Sequence, residues 1–284
     1  LNNLNNLLEL FFYQFQSEKN KKNLLLSSLK EPRTDYSWEK TFIFIKKLSE
    51  ELKKYINKGD RCLLISENRP EWFISDLSIM LSGSITVPAY TTYIERDYEY
   101  IVNDCKPSVI FISNSEQFNK VKNIIKNNNF IKKIFSFEKL NDIDKNEYIN
   151  IHDLLLDINN QNKDYPKITI SRKDPACIIY TSGTQGNPKG VMLSHGGILN
   201  NCSGAMKILK PLISGRQTRF LTWLPLSHSY EHTVQFVQIS TGAKIFYAES
   251  IEKLIKNMND CKPEIMTAVP RFYQNLYQKI NSSF

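Results

Sequence analysis

The chain has 284 residues, 41% hydrophobic and 23% charged, a balance that supports a sizeable buried core and excludes the disordered and fibrous classes. Lys and Arg number 37 against 29 Asp and Glu, a formal net charge of +8. The basic residues are mostly lysines scattered among Asn and Ile, as in the stretch 122–133, which reads as solvated faces and not as a nucleic-acid surface.

The five cysteines, Cys62, Cys105, Cys177, Cys202 and Cys261, are odd in number and form no CxxC pair, the usage of a reduced, cytoplasmic protein. No apolar run reaches the roughly 18 residues of a membrane span, so at most a peripheral, salt-sensitive attachment to the inner membrane face is expected of the +8 charge. LLELFF (7–12) lacks the flanks of a signal peptide and reads as the buried face of a first helix. Because residue 1 is Leu and not Met, the termini are read as cut.

Further along, Trp38, Phe42, Ile45, Leu48, Leu52 and Tyr55 recur at three- and four-residue steps, which predicts an amphipathic helix over 38–56 ended by Gly59. RCLLIS (61–66) reads as a buried strand, Pro70 opens a helix that runs to Gly83, and SITVPAY (84–90) is the next strand. The alternation continues with helix 95–105, strand 109–113, helix 115–126 and strand 133–137. A polar segment, 141–174, holds one short helix candidate over 152–158 and is expected to connect two sheet regions. Beyond it come strand 176–181, a glycine-rich stretch, helix 196–209, strand 219–224, helix 230–241, strand 243–248, helix 250–260, strand 264–269 and a last helix from Pro270. Such alternation predicts an α/β fold of doubly wound, mainly parallel sheets with helices on both faces. The expected division is a first α/β subdomain over 1–174 and a second α/β region over 175–284.

All glycines but Gly59 and Gly83 fall between Gly183 and Gly242, so backbone freedom is concentrated where YTSGTQGNPKGVMLSH (180–195) follows a buried strand. Gly183, Gly186 and Gly190 permit a tight loop whose N–H groups converge on an anion. Thr181, Ser182 and Thr184 add hydroxyls and Lys189 a point charge. This is a phosphate cradle, but not a Walker A loop, because Pro188 precedes Lys189 and Gly190 follows it.

TSGTQGNPKGV closely resembles the phosphate-binding signature of the acyl-adenylate-forming superfamily. GDRCLLISENRPEW (59–72), DLSIMLSGSITVPAY (76–90), WLPLSHSYEHT (223–233) and the block 249–273 are similar to successive blocks of its long-chain fatty acyl-CoA synthetase branch, in the same order. The resemblance implies the large amino-terminal domain of an adenylate-forming enzyme, with fatty acid, ATP and coenzyme A as substrates and Mg2+ as cofactor. It also implies that Thr181, Ser182, Gly183, Thr184, Gln185, Gly186 and Lys189 hold the ATP phosphates, that Thr181 contacts the metal, and that Lys189, Thr184 and His228 serve catalysis. Gln185 stands where the pattern usually has a second Thr or Ser; its amide can still donate to a phosphate oxygen.

The same stretch allows rivals. His228, Glu231 and His232 spell HxxEH, the pattern of an inverted zinc hydrolase site, with Glu249, Glu252 or Glu264 as the third ligand. Trp223, Tyr230, Phe236, Phe246, Tyr247, Phe272 and Tyr273 either line an acyl tunnel or pack the core. The resemblance further implies that adenine, ribose and mobile-lysine segments lie beyond Phe284, amounting to roughly half of an ordinary family member. The alternative to an acid-activating ligase is accordingly a non-catalytic nucleotide-binding scaffold.

Overall fold

Side-chain alternation along the strands sets the layers of the molecule. In β3 (Arg61–Ile65), Cys62 and Leu64 pack into one core while Leu63 and Ile65 pack into another; in β5 (Val109–Ile112), Val109 and Phe111 join the first and Ile110 and Ile112 the second. In β10 (Arg219–Thr222) and β11 (Lys244–Tyr247), Phe220, Ile245 and Tyr247 face that same first core, whereas Leu221 and Phe246 face a third. Two sheets therefore share a central core. It is filled by helices α1 (Leu7–Ser17), α2 (Trp38–Leu52), α3 (Pro70–Leu81), α6 (His195–Leu209) and α7 (Ser229–Ser240). The outer layers are α4 (Glu95–Cys105) and α5 (Ser115–Lys126) on one sheet, and α8 (Leu254–Cys261) with α9 (Pro270–Asn281) on the other.

The computed structural model describes residues 1–284 apart from 2, 19–20, 142, 156–165, 167–168, 182–187, 214–216, 282–284 and the side chains of 275, 276, 279 and 280. Its seven-stranded sheet has the order β7-β6-β5-β3-β4-β8-β9, where β4 is Ile85–Ala89, β6 Lys133–Ser136, β7 Tyr148–Asn150, β8 Pro175–Thr181 and β9 Lys189–Ser194. All its pairs are parallel except β8 with β9. The five-stranded sheet runs β12-β10-β11-β1-β2, with β1 Leu24–Ser28, β2 Asp35–Ser37 and β12 Ile265–Met266, and only β1 with β2 is antiparallel.

Residue 174 is not where the sheets divide. β1 and β2 cross to the sheet built from 219–266, and β8 and β9 complete the sheet begun by β3. The segment 141–174 is more than a connection, since β7 pairs with β6 at the sheet edge and a single 3-10 turn follows at Ile151–Leu155. Only the first part of the expected helix 152–158 falls within the described residues.

Helix α3 is the central post. Pro70 through Met80 are all buried, as a helix enclosed between two sheets must be, and its two acids are both partnered. Glu71 accepts from Arg69 Nε and from Tyr36 Oη, each at 2.8 Å. Burial alone would raise the Glu71 pKa, yet Arg69 beside it holds it below the usual carboxylate range. Asp76 accepts from His232 Nε2 of α7 at 2.8 Å, and His232 Nδ1 lies 3.4 Å from Cys177 Sγ of β8.

Candidate functional site

Strands β8 and β9 flank the glycine-rich stretch. β9 had been hidden in the sequence by Gly190 and Pro188; it returns antiparallel to β8, with Thr181 directly opposite Lys189 and Tyr180 opposite Gly190. Directly opposed residues share one face of an antiparallel pair, so Thr181 and Lys189, both exposed, lie on one face of the hairpin, on either side of the glycine-rich stretch. Ser182, Gly183, Thr184, Gln185 and Gly186 lie outside the described residues. Gly190 has a steric reason: a Cβ there would come within 2.9 Å of Ile178 Cγ2 and 3.2 Å of Tyr180 Cζ. Tyr180 is in turn anchored by donating its hydroxyl proton to Asp104 of α4, and burial followed by that contact pushes its pKa up.

Past the hairpin, Ser194 caps α6 by accepting from Gly197 N at 3.1 Å. His195 is buried, and its Nδ1 accepts from Leu7 N at 3.4 Å. Burial lowers its pKa to about 4, so this histidine is a neutral tie between α6 and α1.

The second half of the site is the loop 223–228, after β10. Trp223 Nε1 donates to Thr267 O at 2.7 Å, Asn68 Nδ2 to Leu224 O at 2.6 Å, Leu226 N to Asn68 Oδ1 at 2.9 Å, and Ser227 Oγ to Ala89 O at 3.1 Å. These partners follow or end β12, β3 and β4, so the loop spans both sheets at the carboxyl ends of parallel strands, where open α/β sheets place ligands. His228 closes the loop, exposed, as the N-cap of α7; its Nδ1 accepts from Tyr230 N at 3.2 Å.

Bounded by β9, α6 and α7 lies an apolar cavity of about 820 Å³, which reaches the residue after His228. One wall is Met192 and Ser194 of β9 with Ile198 and Ala205 of α6, another is Ser229, Tyr230 and Val234 of α7, and Phe220 and Ile265 also line it. Of the aromatic residues expected as lining, Tyr230 alone is in the wall. Phe236 and Tyr247 are in the central core, while Trp223, Phe246 and Phe272 pack together beneath α8 and α9. Thr267, at the rim, donates to Glu231 Oε2 at 2.8 Å. Glu231 is buried, and burial raises its pKa to about 7 despite that hydrogen bond.

The HxxEH triplet does not converge. His232 is fully buried with both ring nitrogens engaged, by Asp76 and Cys177; Glu231 points to Thr267, and His228 is at the surface. Among the described residues no group of three or more His, Cys, Asp or Glu side chains could hold a metal ion. The exposed hydroxyl of Thr181 does fit Mg2+ that reaches the protein chiefly through phosphate oxygens, since that ion keeps several waters and needs only one or two protein ligands. No helix among the described residues is long and apolar enough to cross a membrane.

The parallel strand order, the helices on both faces of the sheets and the glycine-rich stretch between β8 and β9 define an α/β protein with a candidate anion-binding hairpin. The model of the AMP-binding enzyme family matches residues 14–283, and the chain belongs to that family. It is 32% identical over 234 residues to fatty acyl-CoA synthetase A of Dictyostelium discoideum, covering 79% of this chain and 34% of that protein. It is 30% identical over 228 residues to long-chain-fatty-acid–CoA ligase 5 of Rattus norvegicus, covering 77% and 33%. The chain thus spans about a third of the length of these relatives. Among solved structures, ATP-bound MatB from Rhodopseudomonas palustris superimposes with a TM-score of 0.77 at 18% identity, over 97% of this chain and 51% of that one. A red-emitting luciferase from Phrixothrix hirtus gives 0.76 at 20% identity, over 91% and 49%. At such identity the two show the fold alone.

Proposed function

We propose that this chain contributes the acid-binding and phosphate-binding half of an ATP-dependent long-chain fatty acid–CoA ligase. A fatty carboxylate oxygen attacks the α-phosphorus of ATP, pyrophosphate leaves, and the thiol of coenzyme A then displaces AMP from the acyl-adenylate. The observation that carries the reading is the apolar cavity of about 820 Å³ bounded by β9, α6 and α7. It lies within the size range of small-molecule sites. Its walls lie three residues from Lys189 on one side, at Met192, and one residue from His228 on the other, at Ser229.

The chemistry asks little covalent help of the protein and much positioning. Lys189 and the loop 182–187, with the Thr181 hydroxyl, neutralise and hold the pyrophosphate end; each charge-assisted hydrogen bond contributes roughly 1.5 to 3 kcal/mol. Mg2+ bound through Thr181 and the phosphates would lower the charge of the leaving group. Apolar walls exclude water from the acyl chain and orient its carboxylate towards the loop 223–228. There the Nε2 edge of His228, which has no hydrogen-bond partner among the described residues while Nδ1 accepts from Tyr230 N, is placed to hydrogen-bond the carboxylate.

His228→Ala tests this reading in the full-length protein. The expected result is a large fall in palmitate-dependent acyl-adenylate yield with ATP affinity unchanged. Parallel loss of folding stability, ATP affinity and yield would return His228 to a purely packing role.

A further inference from the structure

One polar side chain makes two hydrogen bonds to the backbone of the loop that ends in His228. Asn68 donates from Nδ2 to Leu224 O at 2.6 Å and accepts at Oδ1 from Leu226 N at 2.9 Å. One partner is an acceptor and the other a donor, so the orientation of the amide is determined, and no other side chain of this length supplies both groups.

The mount is rigid. Asn68 is three residues beyond the end of β3 and two before Pro70, the start of the enclosed helix α3. Neighbouring Arg69 is tied to Glu71 at 2.8 Å and Glu138 at 2.7 Å. From Leu226 the chain needs only two residues to reach His228, across a turn closed by His228 N donating to Pro225 O at 3.0 Å. No periodicity marks this contact, which joins positions 156 and 158 residues apart.

We propose that Asn68 is a positioning residue: its amide holds the Leu224–Leu226 backbone and thereby sets where His228 stands beside the cavity. The inference rests on the role given above to His228. A misplacement of about 1 Å at a reacting centre can lower a rate by roughly 100-fold, so removing the amide acts through His228 although Asn68 itself touches no reacting atom.

The test compares Asn68→Ala, Asn68→Asp, His228→Ala and the double variant Asn68→Ala/His228→Ala in the full-length protein, with palmitate and ATP as substrates. Asn68→Asp keeps the acceptor for Leu226 N but sets a carboxylate against Leu224 O, so it separates loss of the clamp from loss of bulk. Both Asn68 variants are expected to lower kcat for palmitate-dependent pyrophosphate release by about 10- to 100-fold, with KM for ATP unchanged. The double variant should be no slower than His228→Ala alone, the signature of residues acting as one unit. Amide hydrogen exchange over 224–232 should quicken in Asn68→Ala while the β3 amides keep their protection.

Additive losses in the double variant overturn the proposal, as does unchanged exchange over 224–232. Quickened exchange with unchanged kcat does the same. If His228→Ala alone retains full activity, the role of His228 is what fails, and Asn68 loses its function with it; a damaging His228→Ala beside a silent Asn68→Ala overturns only the present proposal.

Discussion

Lys189→Ala is expected to slow palmitate-dependent pyrophosphate release by about 100-fold in the full-length protein, the effect of removing one preorganised donor from developing negative charge. The substitution removes an exposed ammonium at the first residue of β9, where no core contact is lost, so the melting temperature should stay close to that of the parent. Thr181→Val, on the same face of the hairpin, should have a smaller effect in the same direction, because it removes a neutral hydroxyl in place of a charge. A Lys189→Ala protein with unchanged turnover would remove the phosphate-cradle role from the hairpin. One with a much lower melting temperature would show that the lysine acts through folding.

The largest expected effect on stability is that of Asp76→Asn. Asp76 and His232 are both fully buried and lie 2.8 Å apart, and removing one partner of such a pair costs roughly 3 to 5 kcal/mol. Burial alone would lower the His232 pKa, but the Asp76 carboxylate outweighs it and holds the imidazolium up to about 10, against 6.5 ordinarily. A pKa raised on folding stabilises fully below the unfolded value near 6.5, and that contribution is lost as pH rises through about 10. The gap between parent and Asp76→Asn in urea denaturation should therefore be widest near pH 6 and narrow towards pH 10. A gap independent of pH would mean that the pair is not charged.

Much of the architecture is legible in the sequence because its signals are local. Pro70 at a helix start, Gly83 after its end and the three- and four-residue spacing from Trp38 each act within a few residues, and the helices they mark lie at Trp38–Leu52 and Pro70–Leu81. What escapes is set at a distance. β1 and β2 are short segments whose strand character comes from pairing, β1 lying between β2 and β11 more than 200 residues away. For the same reason a boundary at 174 looks natural along the chain, yet the strand order interleaves both parts.

The site divides in the same way. Lys189, Thr181 and His228 stand out in the sequence as candidates because glycines, hydroxyls and a Pro-Lys-Gly crowd one stretch and a histidine follows a strand end. Val191, Met192 and Leu193 were the available sign of β9, masked by the glycines around them. Asn68 carries no sign of its own, since a single Asn after a strand reads as a turn residue, and its partners emerge only once the two sheets are assembled. HxxEH shows the converse error, a pattern whose spacing is right while burial sends its side chains in different directions.

Trapping of the acyl-adenylate tests the central claim most directly. The full-length protein, incubated with palmitate, ATP and Mg2+ in the absence of coenzyme A and quenched with hydroxylamine, is expected to yield palmitoyl hydroxamate together with one pyrophosphate for each acyl group, and the Lys189→Ala and His228→Ala proteins to yield far less. The 284-residue chain by itself is expected to bind ATP weakly and to give little product, because the hairpin addresses only the phosphate end of the nucleotide. Hydroxamate formation by both variants at the parent's rate, or none by the parent under conditions where ATP is bound, would contradict the assignment of the hairpin and the loop 223–228 to fatty acid activation.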